Sequence, residues 1–444
     1  MPAQPNLSKI SHPQAPELLM PAGDIQRLKF AFDYGADAVY LGAPLFSLRA
    51  RENEFNLEEL EKGIQIAHSL KKKVYLTANI FARNLKLKPY KQALAEWIKL
   101  KPDALIVSDP GLIMVTKELA PDLDMHLSVQ ANCMNWESVK FWQKQGITRI
   151  ILSRELRLTE IQEIKQKVPD IELEAFVHGS ICIAFSGRCL LSHYMSYRDA
   201  NQGVCDNSCR YEFNTYHTPK SVESGEYYIE DLRNKGEFYQ IDEDENGSYI
   251  MNAKDLCLIE HLKELKEAGV CSFKVEGRTK SVHYVAQVAR AYRHAIDEMM
   301  ENKPFSQTWI NDLEKVANRG YHKGFFMGQP NYTAQNYDTS VARHMTQKFA
   351  GITTLSDEGK ILFEVRNRIE VGQTVEVITP RDHFTDTVES FKNKDGIEVN
   401  IAHGGTGFFE MKLRHTPVLP ENAIISLIEN PDLSQTSKSE SSND

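Results

Sequence analysis

From residue 17 to about 278, short apolar runs alternate with stretches in which apolar residues recur at helical spacing. The runs are ELLMPA (17–22), AVYLGA (38–43), KVYLTANI (73–80), ALIVSD (104–109), MHLSVQAN (125–132), RIILSREL (149–156), ELEAFVHGSI (172–181) and SFKVEGR (272–278). Most are rich in Val, Ile, Leu or aromatic side chains, as strands buried on both faces of a parallel sheet are. Between the earlier runs, segments 24–34, 57–70 and 89–100 predict helices. Gly35, Gly146 and Gly269 fall near helix ends ahead of new strands, where a left-handed cap is wanted. Eight strand–helix units predict an α/β fold, a (β/α)8 TIM-like barrel. A doubly wound open sheet would give the same alternation.

The regularity breaks between the seventh and eighth runs. Residues 182–250 hold a group of cysteines and then a polar, acidic stretch over 218–248, an insertion expected on the loop after the seventh strand. Such loops lie over the active-site end of a barrel. A strong helix is predicted over 281–300, followed by a Gly-rich stretch, 318–329. From about 348, six short β-like runs follow, KFAGITTL, KILFEVRN, QTVEVITP, IEVNIA, GFFEMKL and AIISLIE, separated by Gly, Asp and Asn turns. They predict a small antiparallel barrel or sandwich. The expected organisation is a flexible N-terminus (1–15), a TIM-like barrel (16–335) with its insertion, a C-terminal β-domain (345–430) and a disordered tail (431–444).

No apolar run approaches the roughly 20 residues that span a bilayer. The polar, Pro-rich N-terminus lacks the apolar centre of a signal peptide, so a cytoplasmic protein with reduced thiols and no membrane partner is expected. The formal net charge of −9 argues against coating nucleic acid through global charge. A local patch remains possible in the run from Lys71 to Lys101, which includes Arg83, Lys86, Lys88, Lys91 and Lys99. It reads either as a solvated face or as a phosphate-contacting one. Nothing in the chain signals an oligomeric state.

Four of the seven cysteines, Cys182, Cys189, Cys205 and Cys209, are spaced C-x6-C-x15-C-x3-C. Thiols gathered in a reducing compartment suit an iron–sulfur cluster or a structural zinc. Zinc sites more often use C-x2-C pairs; unligated cysteines are the third reading. Cys257, in MNAKDLCLIEHL, is expected on an amphipathic helix as a core thiol. Polar residues at the strand ends would line the barrel mouth: Asn79, Asp109, Gln130, Arg154, Glu155, His178, Glu276 and Arg278. Such groups need partners or water, and salt bridges of Glu155 or Glu276 with Arg154 or Arg278 would supply them. His178 could move protons near neutral pH or be a satisfied core histidine.

EAFVHGSICIAFSGRCLLS (174–192), ELLMPAGD (17–24), GADAVYLG (35–42) and FKVEGRTKS (273–281) together resemble the peptidase U32 family, the collagenase-like proteases. The resemblance runs from about residue 16 to 430. It implies more than proteolysis, because the family includes oxygen-independent hydroxylation factors acting in ubiquinone synthesis, on 23S ribosomal RNA and on tRNA. RDANQGVCDNSCRYEF and MNAKDLCLIEHLKELKEAG are most like the tRNA-acting members. These imply a [4Fe–4S] cluster and prephenate-dependent 5-hydroxylation of the wobble uridine. Matched by motif, Cys182, Cys189, Cys205 and Cys209 are the cluster ligands, with Cys257 the alternative fourth.

Prephenate is a dicarboxylate, and arginine binds carboxylates bidentately. Arg154 and Arg278 are therefore the expected anchors, with Asn79 and Gln130 as further substrate-binding candidates. His178, Glu155 and Glu276 are the candidate catalytic groups. The cluster would take part in electron transfer at the mouth. Two other functions are open. A tRNA-binding scaffold would use the Lys/Arg run or the C-terminal β-domain. A cysteine peptidase would pair Cys182 with His178, but three further cysteines then lack a reason, and neither H-E-x-x-H nor G-x-S-x-G occurs.

Overall fold

The computed structural model describes residues 15–48, 55–181, 186–187, 205, 254–328, 347–355, 359–416 and 418–428, and the backbone of five short strands between 213 and 248. Seven parallel strands come first: β1 (Glu17–Pro21), β2 (Ala38–Gly42), β3 (Lys73–Ala78), β4 (Ala104–Val107), β5 (Met125–Leu127), β6 (Arg149–Ile151) and β7 (Glu172–Gly179). Helices α1 (Ile25–Asp33), α2 (Leu57–Ser69), α3 (Asn84–Leu100), α4 (Pro110–Leu119), α5 (Trp136–Lys144) and α6 (Leu158–Lys167) alternate with them. Asp24, Asn56, Asp109 and Asn135 cap α1, α2, α4 and α5 by accepting a first-turn N–H. Gly35, Gly146 and Gly269 take positive φ ahead of the strand that follows each, as the sequence predicts.

The ring closes on β14 (Val270–Val275), which pairs in parallel with both β1 and β7. That closure settles the choice between barrel and open sheet. α7 (Leu262–Glu267) leads into β14, and α8 (Val282–Met300), capped by Ser281, packs outside it before α9 (Thr308–Glu314).

β7 outlasts its neighbour β6: their pairing ends at Ile151 and Glu174. Further up, β13 (Asp255–Cys257) supplies antiparallel partners, Cys257 opposite His178 and Leu256 opposite Gly179. β15 (Tyr321–His322) extends this addition. Cys257 is thus on a strand and not on the predicted helix. The unpaired upper edge of β7 needs hydrogen-bond partners, and that need overrides the helical spacing of its flanking apolar residues. Within the insertion, β8 (Phe213–His217), β9 (Tyr227–Asp231) and β10 (Phe238–Ile241) form an antiparallel sheet that the polar composition hid. Two minimal strands follow, β11 (Glu243–Asp244) and β12 (Gly247–Ser248).

The barrel interior is partly ionic. Glu174, fully buried, accepts from Lys274 Nζ at 2.7 Å and from Arg149 Nη1 at 3.2 Å. Arg149 also reaches Glu17 at 2.8 Å, and Glu17 takes the Tyr75 hydroxyl at 2.6 Å. Each charge has its counter-charge, which burial requires; removing one partner of such a pair costs about 3–5 kcal/mol.

The C-terminal unit comprises β16 (Gln347–Leu355), β17 (Ile361–Val365), β18 (Ile369–Glu370), β19 (Thr374–Ile378), β20 (His383–Lys392), β21 (Glu398–Val399), β22 (Ile401–Ala402), β23 (Phe408–Leu413) and β24 (Ile424–Ile428). Six of them close a second, antiparallel barrel in the order β19-β24-β16-β17-β23-β20, with β20 returning to β19. It has its own core around Phe363, Phe391 and Ile425. Its loops dock on the first barrel: the buried Tyr34 hydroxyl donates to the carbonyls of Ile378 (2.7 Å) and Asn422 (3.0 Å). Residues 1–14 and 431–444, on which the flexible terminus and disordered tail were expected, lie outside the described residues.

Candidate active site at the barrel mouth

The C-terminal ends of the eight strands bring several of the sequence candidates to one end. Arg278, three residues past β14, is gripped by neutral oxygens: the hydroxyls of Ser47 and Thr77 and the carbonyl of Leu48. The turn after β1 abuts it, since a Cβ on Gly23 would stand 2.4 Å from the Arg278 carbonyl oxygen. Only glycine fits there, so Gly23 fixes the approach of the first strand's loop to the last. Asn79 bridges the loops after β2 and β5, accepting from the Leu48 amide at 3.1 Å and donating to Ser128 Oγ at 3.3 Å.

Across the mouth, Arg154 Nη2 donates to Glu276 Oε2 at 3.0 Å, and the guanidinium lies 3.7 Å above the Phe176 ring. Arg154 Nε is buried with no hydrogen-bond partner among the described residues. An orphan donor on a half-used guanidinium is what an anion-binding group offers before its ligand arrives. The sequence expected Arg154 as an anchor and also allowed its pairing with Glu276; the structure has that pairing.

Glu155 faces a different task. Its Oε1 accepts the Ser186 amide at 2.9 Å and the Ser186 hydroxyl at 3.2 Å. Gly187, at φ +72°, follows so closely on the short 3-10 turn Val129–Ala131 that a Cβ would lie 2.0 Å from the Gln130 carbonyl oxygen. Ser186 and Gly187 fall between Cys182 and Cys189 in sequence. Ser186 is thus bonded to Glu155, and Gly187 packs on the Gln130 backbone. Asp109, by contrast, is a helix cap, accepting from Leu112 and Ala82 amides at 3.0 Å.

Of the two readings of His178, a proton-moving group or a satisfied core histidine, the structure has the buried position of the second. His178 is 1% exposed and caged by the rings of Tyr284, Tyr292 and Tyr321, with the Tyr292 hydroxyl 3.4 Å from its Nδ1. Burial pushes its pKa down to about 3, because the charged imidazolium would lose its water. Cys257 sits beside this cage, its sulfur 3.8 Å from the same hydroxyl, and burial pushes its thiol up to about 11.

Of the four expected cluster ligands, Cys205 is exposed; Cys182, Cys189 and Cys209 lie outside the described residues. Among the described residues no three His, Cys, Asp or Glu side chains are placed to hold a metal ion. None of the described helices is long and apolar enough to cross a membrane. Sequence reading missed Phe176, which floors Arg154, and Lys274, whose Nζ lies 4.4 Å from the Tyr40 ring centroid. Their signal was parity: Glu174, Phe176, Ser272 and Lys274 are alternate strand positions in which charge interrupts an apolar run.

The chain matches Peptidase family U32 over residues 23–336 and the Peptidase family U32 C-terminal domain over 345–425. It is 45% identical over 415 residues to tRNA hydroxylation protein P of Escherichia coli (strain K12), covering 88% of this chain and 92% of that protein. Identity to tRNA hydroxylation protein P of Haemophilus influenzae is 43% over 423 residues, with coverage of 88% and 92%. With tRNA hydroxylation protein P1 of Bacillus subtilis it is 38% over 408 residues, covering 90% and 92%. Matches of this length and identity, on a closed parallel barrel followed by a small antiparallel one, place the chain in peptidase family U32.

Proposed function

We propose that this protein hydroxylates tRNA, forming 5-hydroxyuridine at the wobble position in a prephenate-dependent reaction that does not use molecular oxygen. The observation that carries the reading is the anchoring of Ser186 and Gly187 on Glu155 and Gln130. It ties a cysteine-bearing segment to the same barrel end as Arg154, Glu276 and Arg278. The names of the similar proteins from Escherichia coli, Haemophilus influenzae and Bacillus subtilis support tRNA as the substrate.

In this reading Cys182, Cys189, Cys205 and Cys209 hold a [4Fe–4S] cluster. Thiolate is the donor such a cluster takes, and the exposed Cys205 is accessible to one. When bound, the cluster supplies one-electron transfer. Arg154, through its orphan Nε, and Arg278 receive the carboxylates of prephenate. Glu276 holds the Arg154 guanidinium over Phe176 until the ligand enters. His178, kept neutral, orders the top of β7 through Tyr292.

Peptidase chemistry has less support. A Cys182–His178 pair needs an imidazole that can take a proton from a thiol, and His178 is sealed behind three tyrosines with its basicity suppressed.

Mass spectrometry of tRNA nucleosides from a deletion strain tests the proposal: 5-hydroxyuridine derivatives should vanish and return with the wild-type gene. Cys189→Ala should fail to restore them and should lose the visible absorbance of the anaerobically purified protein. Purified protein given prephenate and unmodified tRNA should form product unaided. A scaffold would need a second enzyme, and a peptidase would instead degrade gelatin.

A further inference from the structure

We infer that the outer rim of the mouth, formed by the loop after β2 and the first turns of α3, is the surface that takes the RNA backbone. This rests on the tRNA reading above and adds where the RNA lies. Residues 83–101 hold six cations (Arg83, Lys86, Lys88, Lys91, Lys99 and Lys101) against one carboxylate, Glu96, in a chain of net charge −9. Glu96 is taken by Lys99 at 2.7 Å. Among the described residues no carboxylate pairs with Arg83, Lys86, Lys88 or Lys91. Four cations without a carboxylate partner among the described residues, on an acidic protein, form a surface complementary to phosphates and to little else nearby.

The rim also carries apolar side chains where a buried core would not put them. Leu85 is 90% exposed and Leu45 is 65% exposed. Leu45 is held at φ +67°, a left-handed conformation that a leucine takes only under constraint. Part of the constraint is visible: Lys86 Nζ donates to the Leu45 carbonyl at 3.3 Å, and the same ammonium lies 5.4 Å from the Phe46 ring centroid. Exposed apolar groups among cations suit flanking bases that have left their stack, while the cations take the phosphates.

This rim is continuous with the mouth. The loop that presents Leu45 continues into Ser47 and Leu48, which hold Arg278, and Asn79 accepts the Leu48 amide. A nucleotide turned into the mouth would have neighbouring phosphates within the sweep of Lys86, Lys88 and Lys91. A single-stranded loop closed by a stem, with one base turned out, is the occupant this arrangement fits.

The test is binding of an anticodon stem-loop RNA to the full chain, read by fluorescence anisotropy across a salt series. Lys88→Glu/Lys91→Glu should weaken binding at least tenfold. Lys88→Ala/Lys91→Ala should lower the slope of log affinity against log salt by about 1.4, two single-strand phosphate contacts. Leu85→Ser should weaken binding to the loop but not the salt slope. Thermal unfolding of each variant confirms that the fold persists. Unchanged affinity and slope in both lysine pairs, or a wild-type protein that binds the loop no better than a plain duplex, would overturn the assignment. Binding is read without turnover, so failure of the modification chemistry shows separately, as wild-type protein that binds the loop through these lysines and forms no product.

Discussion

Glu155 and Ser186 meet across the mouth through the Ser186 amide, which donates to Glu155 Oε1 at 2.9 Å. Glu155 follows β6, whereas Ser186 lies beyond the end of β7 in the cysteine-bearing segment. Glu155→Ala leaves a partly buried amide without its acceptor, a loss of about 1–3 kcal/mol. Proteolytic nicking between residues 182 and 189 should accelerate by roughly 5- to 150-fold, the same free energy read as an opening equilibrium. Glu155→Gln keeps an acceptor oxygen and should nick at close to the wild-type rate. Equal nicking in wild type and Glu155→Ala would remove Glu155 from this role.

The Arg154–Glu276 pair gives an opposite-signed expectation. Glu276 competes with any incoming carboxylate for the Arg154 guanidinium, whose Nε has no partner among the described residues. Glu276→Gln should therefore tighten prephenate binding, by roughly tenfold if the release is worth about 1.4 kcal/mol. Arg154→Met should weaken it by a similar factor. Isothermal titration measures both. If neither changes the affinity, the pair is a structural strut across the mouth.

Arg278→Lys probes the other side. A lysine keeps the charge but cannot reproduce the planar fork that reaches Ser47, Thr77 and Leu48 together. Product formation at limiting prephenate should fall by about tenfold or more, with KM for prephenate raised. A variant with wild-type KM would mean that Arg278 only braces the loop after β2.

Much of this arrangement was legible in the chain because barrel strands advertise themselves. Each of the eight apolar runs overlaps one barrel strand, and Gly35, Gly146 and Gly269 mark the returns. What stayed hidden depended on distant partners. The sequence left His178 open between a proton-moving and a core histidine because Tyr284, Tyr292 and Tyr321, which seal it, come from α8 and β15, more than a hundred residues away. α3 begins at Asn84, five residues before the expected start, and Pro89, at which the expected helix opened, sits inside it. β20 was missed because its alternation is polar and breaks at a register shift between Val388 and Ser390. The cysteines were the clearest chemical signal, yet their shared task was legible only as a choice among cluster, zinc and idle thiols.

The docking of the second barrel rests in part on one hydroxyl. Tyr34 is 1% exposed and shares its one proton between the carbonyls of Ile378, at the end of β19, and Asn422, in the turn before β24. Tyr34→Phe leaves those carbonyls short of a donor in a dry contact, which costs about 1–3 kcal/mol. The urea midpoint should fall with little change in the slope of the transition. An unaltered midpoint would show that the Lys315–Glu376 pair, which crosses between the units, holds them together without it.

Acid should destabilise the protein well above the range in which carboxylates titrate. His178 is pushed down to about 3 and His283 to about 4, and His126 lies well below its usual value, each mainly through burial. All three are neutral in the folded chain at pH 5 and would be mostly protonated in the unfolded chain, where histidine titrates near 6.5. The unfolded state then binds more protons, so stability is complete above about pH 6.5 and is lost as pH falls toward 4 and 3. Each histidine adds up to about 1.4 kcal/mol per pH unit within that window. His283 stacks on Phe349 at 4.9 Å and its Nε2 is buried without a partner among the described residues, so phenylalanine can replace it in shape and loses no described hydrogen bond at that nitrogen. His283→Phe should flatten the dependence of unfolding free energy on pH between 6.5 and 4.5 by one histidine's share, and should raise stability at pH 5. Urea titrations at three or four pH values measure the slope. If the variant and wild type fall in parallel, His283 takes its proton in the folded state, and water must reach the joint between the two barrels.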